Sequence, residues 1–215
     1  GLWFTNWIIS SSPSGIITWT IWHNPLWLSM PTIHSFQPIA GNHARILILG
    51  SMPGQASLSA NQYYAHPRNA FWPIMAPLLK INPEASYEEK ITALKSSRID
   101  LWDVLKSCQR TGSLDSMIKA DTQIINDFQS FFGIHKKITH VFFNGGKAET
   151  CFMRHVFPEN NLGLLQLSRL PSTSPANARL SFADKCNIWH AMLRSATESS
   201  NSHEHRLSQS NQITQ

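Results

Sequence analysis

The stretch "ARILILGSMPGQASLSANQYYAHPRNAFW", residues 44–72, decides the fold. It opens on a short apolar run that closes at Gly50, the pattern of a strand buried on both faces. A long loop follows, rich in polar and aromatic residues. Gly50 and Gly54 flank Pro53, which predicts a tight, stiff turn at the strand end. The segment "NAFWPIMAPLLK", 69–80, then carries apolar residues at helical spacing behind Asn69 as a cap. Pro73 and Pro77 keep that helix short or kinked. The loop lacks the GxxxxGK[ST] pattern of a phosphate-binding P-loop.

Outward from this stretch, strand and helix patterns alternate. "SYEEKITALKSS" starts with a Ser cap and early glutamates, a helix signature. "RIDLWDVLKSCQR" fits either a strand or a short helix. "DTQIINDFQSFFG" reads as a helix between an Asp and a Gly. "KITHVFFNGG" is a second buried strand and "KAETCFMRHVF" the helix after it. "LLQLSRLPS" is a third strand, and "SFADKCNIWHAMLRS" a closing helix. Such alternation predicts an α/β three-layer sandwich around a central, mostly parallel sheet. Ligands of these sheets bind beyond the carboxyl ends of the strands. The loops "GSMPG", "FNGG" and "LPSTSPANA" should therefore converge.

The 215 residues suit one domain with tails. Residues 1–29 hold five of the eight tryptophans and no Lys, Arg, Asp or Glu. They lack the basic start of a signal peptide and the unbroken apolar run of a membrane span. They read as sequence upstream of a start at Met30 rather than as an interfacial membrane segment. The domain is expected over 30–195, and a disordered polar tail over 196–215. Residues 30–195 carry a net charge of +6, which suits a polyanionic partner. Cys108, Cys151 and Cys186 show no metal-site spacing, so they read as buried thiols of a reduced compartment, the cytoplasm. Asp100, Asp103 and Asp115 stand on separate segments without a His partner at ligand spacing. They read as structural, with no metal or organic cofactor implied.

Together the segments "LILGSMPG", "QYYAHPRNAFW", "LWDVL", "GSLD", "FNGGKA" and "LPSTSPA" resemble the uracil-DNA glycosylase superfamily over about residues 34–194. The match is to its hypoxanthine-DNA (deoxyinosine) glycosylase branch. The resemblance implies a uracil-DNA-glycosylase-like fold and a monomer whose partner is DNA bearing a damaged base. It implies hydrolysis of the N-glycosidic bond of deoxyinosine in base excision repair. The rival readings are a uracil or mismatch glycosylase, and a damaged-DNA binder without catalysis.

The pattern departs from many superfamily members at two places. Met52 stands where the first loop of the mismatch branch carries an Asn, and Leu170 where the second motif often begins with His or Asn. The deoxyinosine branch shares both losses and relies on the Asn of "HPRN", Asn69 here. An Asn amide can position a water beside the anomeric carbon without forming a covalent intermediate. Tyr64 aligns with the aromatic that stacks on an extruded base, with Tyr63 as the alternate. Gly50, Ser51, Met52, His66 and Asn144 are expected to shape the base pocket. His66 could instead fix its own loop, and Asn144 could cap the helix after it. Arg68, Ser172, Thr173, Ser174 and Asn177 are the expected DNA contacts.

Overall fold

The computed structural model describes residues 31–159, 162–163 and 165–212. The expected N-terminal extension, 1–29, lies outside the described residues. The centre of the molecule is a four-stranded parallel sheet in the order β3-β2-β6-β7. Its strands are β2 (Ile46–Gly50), β3 (Ile99–Asp103), β6 (His140–Asn144) and β7 (Gln166–Leu170). All residues of β2, β3 and β6 are buried, as expected of strands covered on both faces.

Alternation along each strand sends side chains to two cores. Ile46, Ile48, Leu101 and Phe142 join α2 (Phe71–Leu79), α3 (Tyr87–Ser96) and α6 (Phe182–Gln212) on one face. Leu47, Leu49, Val141 and Phe143 meet α4 (Phe128–Ile134) and α5 (Gly146–His155) on the other. This is the expected α/β three-layer sandwich. A smaller antiparallel sheet, β1-β4-β5, joins Thr32–His34, Leu105–Gln109 and Ile124–Ile125. A six-residue helix, α1 (Gln55–Ala60), sits within the long loop after β2.

Three expectations about elements are refined. The open segment 98–110 is two strands: β3 belongs to the parallel sheet, and after Val104 the chain enters the antiparallel one as β4. The helix expected from Asp121 begins later. Asp127 caps it by accepting from the Ser130 amide at 2.9 Å, because the β-branched pair Ile124–Ile125 is used as a strand. The polar tail expected from Ala196 starts inside α6, and Ala196 is itself buried against the core. Cys108 and Cys151 are buried thiols, while Cys186 is only half-buried. No helix among the described residues is long and apolar enough to cross a membrane.

Candidate active site

The last residues of the four parallel strands form a row at the carboxyl edge. Gly50 is registered with Asp103, Leu49 with Phe143, and Asn144 with Leu170. The row reads Asp103, Gly50, Asn144, Leu170. Above it opens a cleft of about 1050 Å³, walled by the loop after β2, the turn around Ser113–Asp115 and the loop after β7. The three glycine- and proline-bearing loops do converge, because parallel strands deliver all their carboxyl ends to one side.

The loop after β2 is held from below. The Arg110 guanidinium is buried and donates from Nη2 to the Pro53 carbonyl and from Nε to the Gly112 carbonyl at 2.9 Å. Burial lowers its pKa. Ser51 Oγ donates to Asp115 at 2.7 Å. Met52 is buried among the apolar residues below the sheet, although it borders the cleft. Ser51 and Met52 thus build the wall more than they offer free groups.

Tyr64 is held at φ 56°, a conformation unusual for a side chain of this size. Its ring stacks on Phe71 at 4.1 Å between centroids, and Phe71 packs edge-on against Trp189. The phenol reaches down to Gly50 and Asn144, and burial is the main cause of its raised pKa. Tyr63 is buried and donates its hydroxyl to the Gln37 carbonyl at 3.3 Å. Of the two tyrosines, Tyr64 is the one with a half-buried ring at the cleft.

Asn69 lines the same cleft. The helix α2 takes Ala70 as its N-cap position, one residue later than expected, and Asn69 Oδ1 accepts from the Phe71 amide at 3.0 Å. One carbonyl lone pair and the amide hydrogens remain for other partners. His66 Nδ1 accepts from the Arg68 amide at 3.1 Å, so the neutral ring carries its proton on Nε2. The loop-fixing role of His66 is present, with a donor left over. Arg68 is exposed and stands outside the cleft lining; Arg169 and Arg179 line it instead.

Asn144 neither caps α5 nor keeps a free edge. Its Nδ2 donates to Thr173 Oγ1 and its Oδ1 accepts from the Thr173 amide, both at 2.8 Å. The N-cap position of α5 is Gly145, at φ 98°. Thr173, expected to contact a phosphate, is 1 % exposed and held by Asn144. Its carbonyl accepts from the Ala70 amide at 3.0 Å, tying the loop after β7 to the residue next to Asn69. Ser172 Oγ and Ser174 Oγ accept from the Ser174 and Ala176 amides, each at 3.2 Å. Asn177 donates to the Ser172 carbonyl at 3.0 Å, and Lys185 donates to the Asn177 carbonyl at 2.7 Å. These groups stiffen the loop at the rim of the cleft.

The three aspartates, read together as structural, take different positions, and Asp103 is the one at the cleft floor. Asp100 is structural, accepting from the Gly41 amide at 2.8 Å. Asp103 is 3 % exposed and stands on the floor of the cleft. Its carboxyl is pushed up to about 8, first by burial and then by Asp115, against the pull of Arg110. An ionisable residue inside the apolar run "LWDVL" was the signal for it, since such residues are rarely buried without cause. Among the described residues no cluster of His, Cys, Asp and Glu is arranged to hold a metal ion.

The family model of the uracil DNA glycosylase superfamily matches residues 38–193. A hypoxanthine DNA glycosylase of Methanosarcina acetivorans is 36 % identical over 162 residues, which is 74 % of this chain and 96 % of the relative. A hypoxanthine DNA glycosylase of Methanosarcina barkeri is 37 % identical over 114 residues, 53 % of this chain and 71 % of the relative. A solution NMR structure from Methanosarcina acetivorans, described as a candidate uracil DNA glycosylase, superposes with a TM-score of 0.65 at 34 % identity. It covers 77 % of this chain and 99 % of that one. The chain belongs to the uracil DNA glycosylase superfamily.

Proposed function

We propose that the protein is a monofunctional DNA glycosylase that removes hypoxanthine from deoxyinosine in DNA, the opening step of base excision repair. The observation that carries this reading is the meeting of Asn69 and Tyr64 in one cleft at the carboxyl edge of the sheet. The two relatives named as hypoxanthine DNA glycosylases support the choice of base.

A base inside a duplex must be extruded before its glycosidic bond can be reached. Tyr64, braced from behind by Phe71, offers an aromatic face for the extruded base to stack on. Breaking the bond places positive charge on the sugar and negative charge on the base. Asn69 positions a water near the anomeric carbon through its remaining carbonyl lone pair, and that water is the nucleophile. Among the described residues the cleft lining holds arginines and no lysine, which fits hydrolysis without a covalent amine intermediate. Arg169, Arg179 and the outlying Arg68 supply positive charge for the backbone, so binding weakens as salt rises. The protein acts as a monomer in the cytoplasm.

The test is base release from duplexes carrying one deoxyinosine, one deoxyuridine or one mismatch. Free hypoxanthine is expected in excess over the other bases. Preferential release of uracil returns the chain to the rival substrate class. Tight binding to inosine DNA with no release identifies a damage binder.

A further inference from the structure

The floor of the cleft carries buried polar atoms that the mechanism above leaves idle. Asp103 Oδ2 is buried there without a hydrogen-bond partner, as is Arg110 Nη1 beneath the loop, and the buried Tyr64 hydroxyl has only Asn144 within reach. Buried polar groups are ordinarily satisfied, so exceptions at a ligand site call for an explanation. The same spot explains Gly50. A Cβ there would collide with Asp103 Oδ1 and lie 3.1 Å from the Tyr64 hydroxyl. Glycine keeps the space between strand end and tyrosine open, and Asp103 Oδ1 projects into it.

The Tyr64 hydroxyl marks how deep a ring stacked on that tyrosine reaches. A base lying flat on the ring puts its far edge at the same level, above Gly50 and beside Asp103. We propose that Asp103 is a second catalytic group of this site, whose neutral carboxyl donates a hydrogen bond from Oδ1 to the exocyclic oxygen of the departing base. The inference rests on the glycosylase reading given above. When the glycosidic bond breaks, its electron pair stays with the base and the negative charge spreads to that oxygen. Water forms the new bond to the sugar carbon and releases a proton to solvent, from which the base anion is neutralised. The Asp103 proton stays on the carboxyl and stabilises charge that develops only in the transition state.

The surroundings favour the protonated form. Oδ2, without a partner, is far less unfavourable as half of a neutral acid than of a carboxylate. The groups acting on the carboxyl are Asp115 from the turn after β4, the Arg110 guanidinium, and the phenols of Tyr63, Tyr64 and Tyr87. Asp115 opposes ionisation, and only Arg110 favours it. Burial first, and then Asp115, holds the carboxyl up to about 8.

The experiment compares wild type, Asp103→Asn and Asp103→Leu on deoxyinosine duplex under single turnover from pH 7 to pH 9, with thermal unfolding of each. Asn keeps a neutral donor that cannot ionise. Its rate relative to wild type should climb toward tenfold per pH unit above about pH 8, as the wild-type carboxyl loses its proton. Taking the ratio cancels ionisation of the base itself. The Leu variant should lose roughly 10²-fold in rate, with little change in KM and an unfolding temperature no lower than wild type. A flat Asn-to-wild-type ratio, or a Leu variant at full rate, overturns the proposal while leaving the glycosylase reading intact. A wild type that releases no base overturns both. If the Leu variant does not fold, the Asn ratio decides alone.

Discussion

Asn144 and Thr173 grip each other by two hydrogen bonds of 2.8 Å, side chain to side chain and backbone amide to side chain. They lie 29 residues apart in sequence and join the end of β6 to the loop after β7. Thr173 passes the link on to Ala70, next to Asn69. The clip therefore sets the distance between the loop rim and the proposed catalytic amide.

Asn144→Ala should destabilise the protein by about 1–3 kcal/mol, because it leaves the Thr173 amide and hydroxyl buried without partners. Urea unfolding measures this directly. Base release should fall as well, since the shift is transmitted to Asn69, and a variant as stable as wild type would contradict the account.

Asn69 has a cap duty and a chemical one, both carried by its side-chain oxygen, and two substitutions test them. Asn69→Ala removes the acceptor for the Phe71 amide and should cost about 0.5–2 kcal/mol. Asn69→Asp keeps that acceptor and adds negative charge at a helix N-terminus, so its stability should equal or exceed wild type. Asn69→Ala should lose base release, whereas Asn69→Asp keeps an oxygen that can hold the water and a charge that favours the cationic sugar, so it should retain release. Thermal unfolding beside a release assay checks the pair.

Three glycines give a graded series. Gly50→Ala drives a Cβ into Asp103, and Gly145→Ala places one 2.8 Å from Ser172 Cβ at a φ of 98°. Each should lose about 1–3 kcal/mol from overpacking, with Gly145→Ala the worse because of its backbone. Gly112 also has positive φ, at 70°, but no atom within 4 Å of an added Cβ. Its substitution should cost only the backbone penalty of about 1–2 kcal/mol and leave base release unchanged. Unfolding midpoints of the three variants test the order.

The Asp103 carboxyl also predicts a pH dependence of stability. Its pKa is raised from its ordinary value of 3.8 to about 8 on folding. Between those values the folded state binds the proton that the unfolded state has released. Stability from this group is therefore fully present below about pH 4 and is lost as pH rises toward 8. Wild type should lose stability relative to Asp103→Asn across that window. Denaturant midpoints for both proteins at pH 4.5, 6 and 7.5 measure it, and a gap that stays constant would contradict the burial argument.

The architecture was legible because β2 and β6 are unbroken apolar runs ending in turn residues, and the helices between them carry caps such as Ser86 with Glu89. The segment around "LWDVL" was not, because a fully buried run has no period to tell strand from helix, and it changes sheets at Val104. The convergence of the three loops followed from parallel topology alone. What side chains do there did not. Asn144 has the groups to cap a helix, read a base or clip a loop, and only the position of Thr173 settles which hydrogen bonds it makes. The place of Asp103 at the cleft was hidden because its neighbours, Gly50, Tyr64 and Arg110, come from elsewhere in the chain and meet only in the fold. Arg169 and Arg179 carry no local pattern that separates a cleft arginine from a solvated one.

The most direct measurement is release of free base from a deoxyinosine duplex under single turnover, by wild type and by Asn69→Ala, which removes the water-positioning carbonyl. The account predicts hypoxanthine from wild type and a loss of at least about 10²-fold in the variant, with the unfolding midpoint lowered only by the lost cap. Release by the variant at the wild-type rate would reduce Asn69 to a helix cap and remove the proposed catalytic amide from the mechanism.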